Sequence, residues 1–245
     1  MKKILISAIA LFIFTGLQAQ ADAKSTELVA ALESVNGGWS KLRAQKDVEF
    51  NYVYDNKGQG KDISTERYIF DGEYSWAKYQ QHEVNVMPTS TGEVTQVYMN
   101  GKASIMLGDK MVEDPEAIGG TAFLRAANYY WFTMMYKLRD PGTKLEYIGQ
   151  EAVDGVTYDK VNLTFNDAVT GKPQNDGYIL YFNPETHLVD RFYFSLPAMG
   201  VNQPVLLMVL DYEVINGIQV ATKRDIYMPN DKGEYNLGLV QLTQV

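Results

Sequence analysis

Apolar residues change period three times along this chain. Over residues 28–42, Leu28, Leu32, Val35, Trp39 and Leu42 are spaced four, three, four and three apart, one narrow helical stripe. Asp22 or Ser25 can cap this helix. Gly37-Gly38 interrupts it, at about 1 kcal/mol per glycine, and predicts a kink or a close approach to another backbone. From Asp47 the period falls to two: Val48, Phe50, Tyr52 and Tyr54 alternate with polar residues, a half-buried strand. After a turn over 56–61, Ile63 to Phe70 and Glu73 to Tyr79 predict a hairpin around Asp71-Gly72. Val94 to Met99 and Ala103 to Leu107 predict another around Asn100-Gly101, and Lys110 to Glu113 a short strand.

The period then returns to helical between a start signal, Asp114-Pro115-Glu116, and a stop signal, Asp140-Pro141-Gly142. Phe123, Ala127, Tyr130, Met134 and Leu138 form a broad stripe, widened by Leu124, Trp131 and Met135. A narrower stripe of Tyr129, Phe132 and Tyr136 lies opposite, flanked by Arg125, Asn128, Thr133 and Lys137. The broad face is expected on a sheet, and the helix between that sheet and something else. Ordinary core and the wall of a ligand space both fit the two stripes.

Beyond Gly142, period two resumes. Short strands are expected over 144–149 and 151–153, with Asp154-Gly155 turning the chain. Val161, Leu163 and Phe165 alternate with polar residues, and 166–177 reads as a polar loop. A hairpin over 178–195, a long strand over 205–214 turned by Asn216-Gly217, a period-two run from Ile218 and a last strand over 234–245 complete the pattern. Roughly 11–12 strands joined by short turns predict antiparallel pairing. The class is α+β: a strongly curved antiparallel β-sheet, an open half-barrel, with two helices on its concave side.

The first residues carry a different signal. Lys2 and Lys3 precede the apolar run Ile4 to Phe14, and small residues from Gly16 to Ala21 offer cleavage after Ala19 or Ala21. This predicts a signal peptide over 1–21 and one exported domain over 22–245, periplasmic or secreted. Without cysteine there is no disulfide, thiolate nucleophile or lipid-modified cysteine, so no stable membrane anchor is expected. Removing Lys2 and Lys3 leaves 20 of the 22 basic side chains against 30 acidic ones, a net charge of −10. That disfavours nucleic acid and anionic headgroups as partners.

The order of elements, a leading helix, a long meander, a mid-chain helix and a second meander, resembles the LolA and LolB superfamily of lipoprotein carriers. Residues 26–240 follow that layout. A nearer resemblance is to an uncharacterised family of secreted bacterial proteins beside that superfamily. It rests on Gly37-Gly38-Trp39, on Tyr136 to Gly142, on Leu145 to Gly149, and on Asp154-Gly155, Tyr158 to Val161 and Phe165. The resemblance implies an open half-barrel lidded by helices over an apolar cavity for acyl chains. It carries over no functional residue. The chain departs from the lipid-anchored acceptor in having no cysteine.

Catalytic motifs are sparse. His82 and His187 sit in no HExxH pattern and read as surface histidines. Asp55 to Asp62 has Lys57 and Gln59 where a calcium loop needs carboxylates, so it reads as a turn. Ser75 and Ser104 stand outside G-x-S-x-G, and Gly37-Gly38 precedes no Gly-Lys-Ser/Thr. Asp211 and Glu213 share a strand face, a spacing that serves a glycosidase only with a correctly placed partner. No metal, cofactor or catalytic residue is expected. What stands out is apolar: 17 Tyr, 10 Phe, 3 Trp and 10 Met, the last suited to cavities that accept varied ligands. The expected apolar wall is Tyr130, Trp131, Met134, Met135 and Leu138, with Met199 in the apolar loop Leu196 to Val201 at the mouth. The expected partner is an apolar small molecule or a lipoprotein acyl chain. The alternatives are a partner-binding scaffold whose half-barrel is plugged by its own side chains, and a carboxylate-based hydrolase.

Intact mass of the exported protein should show a chain beginning at Gln20 or Asp22 with no acyl addition. Retention of residues 1–19, or an added lipid mass, would contradict the leader.

Overall fold

The computed structural model describes residues 20–172 and 174–245. The leader expected over 1–21 lies outside the described residues except for its last two positions. In chain order the elements are β1 (Gln20–Ala21), α1 (Ala23–Asn36), α2 (Gly38–Arg43), β2 (Asp47–Asn56), β3 (Gly60–Ile69), β4 (Tyr74–His82), β5 (Val94–Met99), β6 (Lys102–Leu107), β7 (Lys110–Met111) and α3 (Pro115–Thr133). Then come a 3₁₀ turn over Met134–Tyr136, β8 (Thr143–Val153), β9 (Val156–Phe165), α4 (Asp167–Thr170), β10 (Tyr178–Phe182), β11 (Val189–Leu196), a 3₁₀ turn over Pro197–Met199, β12 (Val201–Ile215), β13 (Ile218–Pro229) and β14 (Tyr235–Gln244).

The strands form one open sheet in the order β1-β8-β9-β10-β11-β12-β13-β14-β2-β3-β4-β5-β6-β7. Two meanders, β2 to β7 and β8 to β13, are joined side by side through β14. All pairs are antiparallel except β1, which runs parallel to β8. The 14 strands exceed the roughly 11–12 expected; of the two strands of two residues, β7 falls where a short strand was expected, and β1 is below what period-two alternation can signal. Where two short strands were expected over 144–153 there is one, β8, bent by a bulge between Tyr147 and Gln150 with Gly149 at φ 97°.

Local chemistry sets the element ends. Asp22 caps α1, its Oδ1 accepting from the Ser25 N–H at 2.8 Å. Gly37, at φ 89°, ends α1 and turns the chain into α2, so the glycine pair breaks the helix into two. Asn100-Gly101 and Asn216-Gly217 are two-residue turns with φ positive at both positions, between Met99 and Lys102 and between Ile215 and Ile218.

The sheet curls around α3. Tyr130 packs its ring on Phe165 of β9 and Tyr178 of β10, at centroid distances of 6.3 and 6.0 Å. Five residues earlier on the same helix, Arg125 bonds Tyr79 of β4. Strands β9 and β4 are eight steps apart in the sheet order, about 38 Å on a flat sheet, while a helix is about 10–12 Å wide. Only strong curvature brings both to one helix, so α3 lies on the concave side. The "something else" expected behind the helix is the other half of the same sheet.

The roll of α3 corrects the stripe reading. Thr121, Arg125, Asn128, Tyr129, Phe132 and Thr133 are its buried residues, while Phe123, expected in the core stripe, is 43% exposed. Thr121, Arg125 and Asn128 bury because each meets a partner on the sheet, and Thr133 because it bonds back to the Tyr129 carbonyl, which hydrophobic periodicity cannot register.

Gly142 closes the turn from the 3₁₀ segment into β8 at φ 89°, and a Cβ there would lie 2.8 Å from Val169 Cγ1. Gly101 has φ 73° with nothing within 4 Å of such a Cβ. Gly101→Ala should therefore cost only the left-handed backbone penalty, about 1–2 kcal/mol. Gly142→Ala should add about 1–3 kcal/mol of overpacking to the same penalty. Equal urea midpoints for the two variants would contradict the close approach.

Candidate functional site

The candidate site is the space between α3 and the curled sheet, and its two sides differ in chemistry. On the β3–β5 side the helix is held by charge. The inward face of β3 carries Asp62, Ser64, Glu66 and Tyr68, all buried. Glu66 and Arg125 are both 0% exposed and pair at 2.9 Å. The Tyr68 hydroxyl donates to the other carboxylate oxygen, and Ser64 Oγ and Asn128 Nδ2 approach Glu66 Oε1 at 3.3 and 3.4 Å. Arg125 Nη2 also donates to the Tyr79 hydroxyl at 2.7 Å. Tyr79 in turn donates to Gln96 Oε1, Gln96 Nε2 to Thr121 Oγ1, and Thr121 to the Ala117 carbonyl. This chain of bonds runs from the sheet back into the helix backbone.

Burial pushes the Tyr68 and Tyr79 phenols above their ordinary range, and the Glu66 charge adds to both shifts. Burial, the largest single influence, lowers the Arg125 guanidinium. The Glu66 charge and hydrogen bond, with Tyr79 and Tyr68, together outweigh it, so Arg125 is held above its usual value and stays charged.

On the β9–β11 side the contacts described are between rings and apolar side chains. Tyr130 meets Phe165 and Tyr178, and Trp131 stands edge-on to Phe194 of β11 at 5.6 Å. Met134, Met135 and Leu138 continue this seam into one cluster with Leu28 and Leu32 of α1, Leu163, Leu180 and Phe192. The seam thus brings together five of the six residues expected as an apolar wall. Met199 stands apart from it, 71% exposed on the turn between β11 and β12.

Among the described residues, four cavities around these elements stand out. The largest of the four, about 480 Å³, opens between residues 85–90 and the first turns of α3, with Gln96 and Thr121 at its wall. Its size lies within the ~300–1,000 Å³ of small-molecule pockets. The Asp62 carboxylate, accepting from the Val84 and Asn85 N–H groups at 2.8 and 2.9 Å, fixes the chain that rims it. A second, about 170 Å³, lies between α1 and the β10–β11 turn, and a third, about 60 Å³, beside α2. The fourth, about 10 Å³, touches Trp131 and Arg224.

His82 corrects the surface reading: it is 9% exposed, with Nδ1 3.2 Å from the Met87 carbonyl and Nε2 2.8 Å from that of Gly92. His187 is exposed. Asp211 and Glu213 are exposed strand residues bonded to Lys223 and Thr222. The residues that sequence reasoning missed are Glu66, Tyr79, Gln96 and Arg224. A signal for the first existed. Phe50 was expected inward, and the β2–β3 register puts Glu66 directly opposite it on the same face.

Arg125→Met and Glu66→Leu should each destabilise by about 3–5 kcal/mol, since either leaves a buried charge alone. The double variant should cost less than the sum of the two, with a coupling of about 1–3 kcal/mol in urea denaturation. Additive costs would show that the pair does not act as a unit.

A family model described as a family of unknown function, DUF6503, matches residues 109–202. That span holds α3 and β8 to β11, both walls of the apolar seam. No curated protein matches the chain in sequence. Among solved structures, a DUF1329 family protein from Desulfovibrio piger is similar at a TM-score of 0.51 and 13% identity, over 90% of this chain and 89% of that one. A LolA superfamily protein from Nitrosomonas europaea is similar at a TM-score of 0.51 and 10% identity, over 90% of this chain and 91% of that one. The resemblance read from the order of elements is borne out at the level of fold: the chain is built as a LolA-like open sheet wrapped on a central helix.

Proposed function

We propose that the chain is an exported, non-catalytic binding protein that holds an acyl chain or similar apolar ligand between α3 and the β8–β11 half of the sheet. The observation that carries this reading is the unequal attachment of α3. Its β3–β5 side is fixed by the Glu66–Arg125 pair and the bonds around it, and its β9–β11 side packs through rings, methionines and Leu138. Separating the first side breaks a buried ion pair. Separating the second exposes apolar surface, and an alkyl chain entering there covers that surface again, at about 25 cal/mol per Å². The helix then acts as a lid with a charged hinge and an apolar free edge. Tyr130, Trp131, Met134, Met135 and Leu138 form the ligand's wall, with Met199 at the outer rim. The LolA-like fold supports the reading, and so does the flexibility of methionine in the seam. Among the described residues no helix is long and apolar enough to cross a membrane. The leader over 1–21 would deliver the domain over 22–245 to the periplasm or the outside.

A second reading, a partner-binding module with a self-plugged core, draws on one observation: Met134, Met135 and Leu138 are 1%, 6% and 2% exposed, already packed against their neighbours.

Replacing Trp39 and Trp76 by Phe leaves Trp131 as the single reporter of the three tryptophans. Palmitate should then shift its fluorescence saturably. Met135→Trp, placed in a background with Trp131 replaced by Phe, should overfill the seam, cost about 1–3 kcal/mol and abolish palmitate binding measured by calorimetry. A Trp131 signal unmoved by palmitate and by a lipopeptide would end the carrier reading in favour of the plugged module.

A further inference from the structure

Arg224 lies near the middle of the concave face, on β13 directly opposite Gln241 of β14. It is 3% exposed, and Gln241 is 1% exposed. Arg224 Nη1 donates to Thr243 Oγ1 at 3.2 Å, but Nε and Nη2 meet no protein acceptor, nor does Gln241 Nε2. Both side chains line the cavity of about 10 Å³ that Asn128 and Trp131 of α3 roof and Tyr52 and Thr243 flank. Space of that size admits one water-sized particle.

The three unsatisfied atoms are all N–H donors, and one of the two side chains is permanently charged. Among the described residues no carboxylate lies within 4 Å of Arg224 to neutralise it, and Glu66, buried on the neighbouring part of the face, is already engaged by Arg125. A water molecule would accept at most two of the three bonds, would bring two donors of its own, and would leave the buried charge uncompensated. A small spherical anion accepts from all three donors and cancels the charge. The geometry points to a single chloride ion bound inside the fold by Arg224 and Gln241. The site shares Trp131 with the apolar seam, but its donors come from β13 and β14 and it needs no ligand in that seam. It places a counter-ion where the sheet joins its two meanders, between β13 and β14 and under α3.

The test uses the full mature chain. Crystals soaked in bromide should show an anomalous peak in hydrogen-bond contact with the Arg224 guanidinium and Gln241 Nε2. Absence of the peak, with a water in its place, would overturn the proposal. In solution, the melting temperature should rise with chloride when gluconate holds the ionic strength constant. Gln241→Glu supplies a fixed carboxylate opposite Arg224, so it should remove that chloride dependence while keeping the fold. Arg224→Met should remove it as well. A chloride response retained in either variant, or absent from the wild type, would equally overturn the site.

Discussion

Two charges without access to water, Glu66 and Arg125, fix where α3 lies, and much of the interior follows from that. A buried pair tolerates little displacement, because either partner alone is strongly unfavourable. Tyr68, Asn128 and Ser64 surround the Glu66 carboxylate, and Tyr79 accepts from Arg125, whose Nε and Nη1 find no protein acceptor. With that side of the helix pinned, the roll of α3 is set, Phe132 meets Phe50 and Phe70, and Tyr130 and Trp131 are carried to the opposite wall. The ion pair contributes position more than stability. Stability comes from the rings and aliphatic side chains packed on either side of it.

The curvature of the sheet explains the composition. A sheet curled around a single helix leaves a wide interior that short side chains cannot span. Phe and Tyr reach across it from helix and sheet, in edge-to-face contacts with centroids 5.2–5.4 Å apart among Phe50, Tyr68, Tyr129 and Phe132. Buried hydroxyls then need partners, which is why polar residues on β3, β4 and β5 face inward. The aromatic wealth of the chain and its buried polar network are two results of one geometry.

The sequence was legible where local chemistry alone decides the outcome. The Asp22 cap, the glycine break, the stripe from Leu28 to Leu42 and the two Asn-Gly turns depend on neighbours a few residues away. The inward face of β3 and the roll of α3 were not legible from period. Asp62, Ser64, Glu66 and Tyr68 alternate with Ile63, Thr65, Arg67 and Ile69, so either face could be the inner one. The choice rests on Arg125, 59 residues away in sequence. Tyr130, Met134 and Leu138 did gather into one apolar cluster, because they needed only an apolar surface and not a specific partner. Arg224 falls on the same period-two face as Ile218, Val220, Thr222 and Ile226, so its inward direction was legible, but its partners were not, since no local pattern names them.

The two meanders are joined by β14, whose register runs from Leu239 opposite Asn56 to Gln244 opposite Asn51. The strand that completes the sheet is thus made nearly 190 residues after its partner. Until residues 235–244 emerge, a growing chain holds two separate half-sheets, each with an unpaired edge, and the cradle under α3 has no centre. The order of synthesis itself therefore keeps the sheet from closing until its last strand is made.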